Sequence, residues 1–281
     1  MACLNTWKDD CYIKYWGTYQ QDNLAVDRSK VVGIMLPVYQ CIHLIELAYS
    51  SLIRSMPMNY PFGLVAIDGG STDGTRQFLE GQVPTIVMQQ PCKGNQNAGV
   101  EMFLGKYDKA TDKFEHEGRV GYIGFVHSDC DYDQEGWLGK LVEHCEANPD
   151  VGCAGPWHWH QHPPPPNLQP YTWNMPMWII PVRVIKESYR RYGWWVDPAY
   201  WNGVAFEEWD FQWRFMWEMN LKSVIVPQSQ VKHTWVGTRA ALSRSAPWFA
   251  NAERENREYY NNRWKTLDNP WAAHGLHEPI Y

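Results

Sequence analysis

The sequence predicts an α/β fold built on a mostly parallel central sheet flanked by helices, and three observations carry that expectation. Short continuous apolar runs such as Val31-Val32-Gly33-Ile34-Met35-Leu36 and Leu64-Val65-Ala66-Ile67 have the pattern of strands buried on both faces. Stretches with apolar residues at helical spacing separate the runs, the order expected of parallel strands joined by right-handed crossovers. Several runs end in small or acidic residues, at the carboxyl edge where open α/β sheets bind ligands.

Each element follows in turn. The first 29 residues are polar and aromatic without a clear period and read as an extension packed on the domain. A first strand begins after Lys30 and is stopped by Pro37. Leu44, Leu47, Ala48, Ser51 and Leu52 mark a helix. The second strand ends in Asp68-Gly69-Gly70-Ser71-Thr72-Asp73-Gly74-Thr75, where small residues let backbone approach a ligand and Ser71, Thr72 or Asp73 can cap a helix starting near Thr75.

Thr85-Ile86-Val87-Met88 is a third strand, and Lys93-Gly94-Asn95-Gln96-Asn97-Ala98-Gly99 a loop or helix start. The run from Val120 to Val126 then carries Asp129 and Asp131 to the sheet edge. After Pro156, Trp157-His158-Trp159-His160-Gln161-His162 and four prolines cannot form a regular helix. Met177-Trp178-Ile179-Ile180-Pro181 reads as a strand, Val182 to Tyr192 as a helix, and Glu207 to Met219 as another with Asp210 and Arg214 ion-paired one turn apart. Val224-Ile225-Val226 is the last strand, closely followed by Val231-Lys232-His233, and the tail is helical around Asn251 to Trp264.

Composition narrows the function. A net charge of -6 argues against a surface that binds nucleic acid throughout. Seventeen Trp and sixteen Tyr exceed what a core of this size needs, and aromatic faces stack on sugars or bases. Seven cysteines without a C-x-x-C pair read as reduced thiols. With no apolar signal core near Met1 and no charge-free run of about 18 residues, the expectation is a soluble cytoplasmic protein without stable membrane association.

Two hard oxygen donors spaced as Asp129 and Asp131 can hold a divalent cation, which in turn holds nucleotide phosphates. Alone, Asp-x-Asp is more often an ordinary surface turn. The three histidines near Pro163 lack flanking cysteines and suit an aromatic covering loop better than a zinc site.

Taken in order, these motifs resemble a glycosyltransferase of the GT-A (nucleotide-diphospho-sugar transferase, Rossmann-like) fold, family 2, over Val31 to Lys265. Pro37-Val38-Tyr39 matches the opening motif, with Gln40 where an Asn is usual. The segment from Asp68 to Thr75 is close to the nucleotide-base loop, with Gly69 in place of a second acid. Lys93 to Gly99 resembles the segment leading to the diphosphate, and Ser128-Asp129-Cys130-Asp131 the metal motif. Phe206-Glu207-Glu208-Trp209-Asp210 is similar to the acidic motif of the acceptor side, with Phe206 replacing a Gly and Glu208 an Asp. His233 stands where a late metal-binding His is frequent.

The resemblance implies residues 30–238 as the catalytic domain, split into a nucleotide-sugar half (30–135) and an acceptor half (136–238), with residues 239–281 as a helical tail. It implies metal-dependent transfer of a sugar from a nucleotide sugar, UDP-linked first, to an acceptor hydroxyl with inversion. Asp131 is then the first ligand of Mn2+ or Mg2+, with His233 and Asp129 completing the set. Pro37, Tyr39, Asp68, Lys93, Asn97 and Asp129 line the donor, Asp68 accepting from the uracil N3–H. Glu208 is the general base by motif position, Glu207 the next candidate and Asp210 the third; acids at a helix amino terminus are also common for dipole reasons alone.

Two rivals stand beside this reading. A sugar-nucleotide-forming nucleotidyltransferase needs a glycine-rich basic loop after the first strand, and Pro37-Val38-Tyr39-Gln40-Cys41-Ile42-His43 is not one. A non-catalytic carbohydrate-binding protein has no need of Asp129, Asp131, the paired glutamates and His233 together. The acceptor is open among a glycan, a small molecule, a protein and a hydroxylated base in DNA. Arg183, Lys186, Arg190 and Arg191, with Arg239, Arg244, Arg254, Arg257, Arg263 and Lys265 in the tail, would suit a phosphate backbone, but Glu253, Glu255 and Glu258 make the tail a mixed-charge helix.

Overall fold

The structure, a computed structural model, describes residues 27–55, 62–88, 94–158, 177–204, 206–233 and 247–264. Strand β1 (Val32–Val38) explains the unbroken apolar runs. Val32, Ile34, Leu36 and Val38 enter one buried layer with Ile45 and Leu52 of helix α1 (Ile42–Ser55), whereas Val31 and Met35 enter a second on the opposite face. A strand covered on both sides cannot alternate apolar with polar.

Strands β2 (Phe62–Asp68) and β3 (Thr85–Val87) continue the sheet in parallel, joined by α2 (Thr75–Glu80). Helix α3 (Asn95–Leu104) lies against the second face. It packs so closely that a Cβ on Gly33 would sit 2.6 Å from the Phe103 ring, and one on Gly99 would overlap Met35 Sδ. A two-stranded hairpin, β4 (Tyr107–Asp108) with β5 (Lys113–Phe114), precedes β6 (Tyr122–Val126), which pairs with the other side of β1.

After the short β7 (Cys130–Asp131) come α4 (Trp137–Ala147), β8 (Val151–His158), β9 (Met177–Pro181) and α5 (Val182–Tyr192). Helix α6 (Glu207–Trp213) runs into a π-helical turn (Arg214–Glu218), followed by β10 (Lys222–His233) and α7 (Pro247–Trp264). The eight-stranded order is β3-β2-β1-β6-β9-β8-β10-β7. Among these, β9 runs antiparallel to β6 and β8, and β7 to β10.

Several boundaries differ from the sequence reading. Strand β1 passes through Pro37, because its ladder with β6 ends at Met35 and needs no donor from the proline. The two aspartates do not leave one strand together: β6 ends at Val126, Asp129 sits in a turn and Asp131 belongs to β7. The last strand and His233 form one element, β10, with an irregularity between Val226 and Gln230. The His/Pro-rich loop lies outside the described residues, as does the extension before Asp27. Among the described residues no helix is long and apolar enough to cross a membrane, and Cys41, Cys130, Cys145 and Cys153 are buried and form no disulfide.

Candidate active site

The chain moves outward from β1 to β2 and β3, then crosses to β6 on the other side, so the carboxyl ends of β1, β2 and β6 meet at a switch point. Three turns converge there. Gln40 adopts a left-handed φ of +50°, a conformation that Asn tolerates best among side-chain residues. Its longer side chain compensates by donating to Thr72 Oγ1 and accepting from the Thr72 N–H, while its own N–H donates to Ser71 Oγ. The β2 turn is thereby tied to β1. Asp73 accepts from the backbone N–H of Thr75 and of Ile42, the first residues of both helices.

Asp68 is fully buried at the end of β2, where its carboxylate accepts from the N–H groups of Gly70 and Ser71. Tyr39 lies beside Gly69 and edge-on to Trp248 at 5.6 Å. Pro37 is half-buried opposite Ile67. Asn97 braces the loop after α5, accepting from the N–H groups of Trp195 and Val196 and donating to the Val196 carbonyl. Lys93 lies outside the described residues.

Beyond β6 a second group forms. Asp129 Oδ1 lies 3.3 Å from His233 Nε2 and 3.8 Å from His127 Nδ1. The other face of His127 meets α6, with Nε2 3.3 Å from Glu208 Oε1. Burial works against a charge on Asp129, but the His233 hydrogen bond and the two imidazoles outweigh it and hold the carboxyl below its usual range. For His127, burial favours the neutral ring, yet Glu208, Asp129 and Glu207 together raise its pKa.

Donor atoms of His127, Asp129, Cys130 and His233 all lie within 4.8 Å of one another. One carboxylate with two imidazoles is a donor set that fits Mn2+. Burial, then the charge of Asp129, drives the Cys130 thiol well above its usual range, so sulfur is the poorest donor of the four.

Asp131, expected as the first ligand, stands outside that group, and β-pairing explains why. In the β7–β10 ladder His233 is opposite Cys130, and Asp131 is opposite Lys232. Opposed residues share a face and neighbours in sequence do not. The charges that act on Asp131 are those of Asp133, Lys232 and Arg54, and its carboxyl is raised by burial and then by Asp133. His127 was not among the residues expected from sequence; its signal was its place between the end of an apolar strand and the acidic pair.

The three acids of α6 separate sharply. Glu208 is partly exposed and faces His127. Glu207 is buried and accepts from the Gly203 N–H through one oxygen; burial, then the charge of Glu208, pushes its carboxyl up to about 8. Asp210 is 1% exposed with both oxygens engaged, 3.0 Å from Arg214 Nε and 3.2 Å from Arg263 Nε, and it also accepts from Trp264 Nε1. Arg214, itself buried, donates further to Ser188 Oγ and the Trp195 carbonyl. The network anchors α7 on α6.

Basic residues that suggested a phosphate backbone are largely engaged elsewhere. Arg183 donates to the carbonyls of Pro149 and Val151, Lys186 pairs with Glu117, and Arg190 and Arg191 both pair with Glu187. In α7, Arg254 and Arg257 pair with Glu258 and Glu253. Arg239, Arg244 and Lys265 lie outside the described residues.

A mostly parallel sheet of this order flanked by helices is an α/β fold of the GT-A type. Residues 33–193, more than half of the chain, match glycosyl transferase family 2, and the chain belongs to that family. It is therefore a nucleotide-sugar-dependent glycosyltransferase.

No curated protein sequence matches. Among solved structures the chain is similar to S. aureus TarS, at 14% identity over 85% of this chain and 44% of that one, with a TM-score of 0.52. The chain thus spans less than half the length of that structure. It is also similar to S. aureus TarS 1-349 in complex with UDP, at 12% identity over 85% and 73% of the two chains with a TM-score of 0.52. A third likeness is to mannosyltransferase PcManGT from Pyrobaculum calidifontis in complex with GDP-Man and Mn2+, at 15% identity over 95% and 83% with a TM-score of 0.49. The TarS likenesses are of fold.

Proposed function

We propose that the protein transfers a sugar from a UDP-sugar to an acceptor hydroxyl with inversion, with Glu208 as general base and Asp129, His233 and His127 as the residues that hold a divalent cation, Mn2+ or Mg2+. The observation that carries this reading is the continuous line from Glu208 through His127 and Asp129 to His233. In that line Glu208 stands beside His127, and Asp129 lies between His127 and His233.

A divalent cation bound there supplies positive charge against the dianionic diphosphate as it leaves. Asp129 is suited to hold one because its charged form is favoured at neutral pH. Glu208 accepts the proton of the acceptor hydroxyl as the new glycosidic bond forms, and His127 beside it keeps the carboxylate oriented. Asp210 is assigned to structure, since a carboxylate locked between two guanidinium groups cannot reach a substrate hydroxyl. Asp68 shapes the base loop through Gly70 and Ser71, with lone pairs left for a uracil N–H. The shared fold of TarS 1-349, solved with UDP, supports uridine nucleotides as the first donors to test.

The test is sugar release from UDP-, GDP- and dTDP-sugars by the purified protein in Mn2+, in Mg2+ and in EDTA. Turnover of a UDP-sugar that EDTA abolishes is expected. Turnover undiminished by EDTA, or restricted to guanine or thymine donors, contradicts the metal or the base assignment respectively.

A further inference from the structure

At the amino terminus of α3, four side chains present polar atoms without a partner among the described residues. They are Asn95 Oδ1, both polar atoms of the Gln96 amide, Asn202 Nδ2 and Glu207 Oε2. All four residues are at least nine-tenths buried, Gln96 completely. An unmet buried polar atom is costly, and folded proteins contain few.

These residues come from two segments in contact. Asn202 is aimed at the first turn of α3, where its Oδ1 faces the Gln96 N–H at 3.5 Å. One residue on, the Gly203 N–H donates to Glu207. Asn97, in the same turn of α3, is bonded to Trp195 and Val196 and fixes the chain that leads into Asn202. Gly94 caps α3 in the left-handed conformation without a side-chain cap.

The mixture of atoms selects the ligand class. A diphosphate accepts only, and would be met by donors alone. Here amide donors on Gln96 and Asn202 stand with amide acceptors on Asn95 and Gln96 and a carboxyl on Glu207. A sugar hydroxyl both donates and accepts, and several on one ring match such a set.

We infer that Asn95, Gln96, Asn202 and Glu207 form the subsite that reads the hydroxyl groups of the donor sugar and so determine which nucleotide sugar is used. This rests on the nucleotide-sugar reading of the neighbouring site. A site built to bond hydroxyls rejects an analogue lacking one, because its own buried groups are then left unpaired.

The experiment is calorimetric titration of the full chain in Mn2+ with UDP, UDP-glucose, UDP-galactose and UDP-N-acetylglucosamine, for wild type, Gln96→Leu and Asn202→Leu, with a thermal melt of each. For the tightest UDP-sugar, each leucine is expected to raise Kd at least about tenfold while the UDP Kd stays near wild type. The melting temperature should hold or rise, since an unmet polar group has been removed. Unchanged Kd values for UDP and UDP-sugar alike overturn the subsite and leave the nucleotide site standing. An equal loss for both assigns these residues to the diphosphate and overturns it too. Wild type that binds neither UDP nor any UDP-sugar removes the underlying reading and the subsite with it. Where a variant fails to fold, wild type titrated with derivatives of the best UDP-sugar lacking one hydroxyl each decides the matter: at least one should bind about tenfold or more weakly, and uniform affinity across the series overturns the inference.

Discussion

His127 Nε2 lies 3.3 Å from Glu208 Oε1, which joins the end of β6 to the first turn of α6 across the mouth of the sheet. The contact gives Glu208 a fixed orientation and separates it from Glu207 and Asp210, whose carboxyls are buried.

Glu208→Gln keeps size and hydrogen bonding while removing the base. Turnover should fall about 10²–10⁴-fold, with donor affinity close to wild type. Sugar release measured beside donor titration checks this, and parallel losses in both would point to a binding role instead.

Cation binding should depend on the residues that the β7–β10 ladder brings together. Asp129→Asn or His233→Ala should weaken Mn2+ binding, followed by electron paramagnetic resonance, by at least about 10–100-fold. Asp131→Asn should leave it near wild type, because Asp131 shares a face with Lys232 rather than with His233. A larger effect at Asp131 than at His233 would reverse the assignment.

Asp210→Ala leaves Arg214 buried and unpaired. Removing one member of such a pair costs about 3–5 kcal/mol, and Arg263 loses a partner in the same step. Urea denaturation should show that loss for Asp210→Ala and almost none for Glu208→Gln. Equal stability of the two would remove the structural role given to Asp210.

Glu207 supplies a pH test of stability. Its carboxyl is raised from 4.5 to about 8, by burial first and Glu208 second. The folded chain therefore keeps a proton that the unfolded chain releases. That contribution is complete below pH 4.5 and is lost as pH rises through about 8. Glu207→Gln cannot ionise, so the wild-type melting temperature should decline relative to the variant across this window. Parallel curves would show that Glu207 is charged in the fold.

Legibility of the fold followed the strength of local pattern. Strands β1, β2 and β9 were readable because burial on both faces writes them as apolar runs, and α5 because Val184, Ile185, Ser188 and Tyr189 recur on one buried face. Strand β8 was not, since Gly152, Cys153, Ala154, Gly155 and Pro156 carry little strand preference and are held in place by pairing with β10. In the site, the separation of Glu208 from Asp210 was hidden because it depends on Arg263, which arrives from α7. The place of Asp131 was hidden for a similar reason: only the pairing partner of β7 decides which face its side chain takes.

The most direct measurement of the central claim is sugar release from a UDP-sugar at saturating Mn2+ by wild type and by Asp129→Asn, a substitution of nearly equal size at the residue shared by His127 and His233. Mn2+-dependent release by wild type, and loss of that dependence together with turnover in the variant, are expected. Release by Asp129→Asn at the wild-type rate, still stimulated by Mn2+, would contradict it.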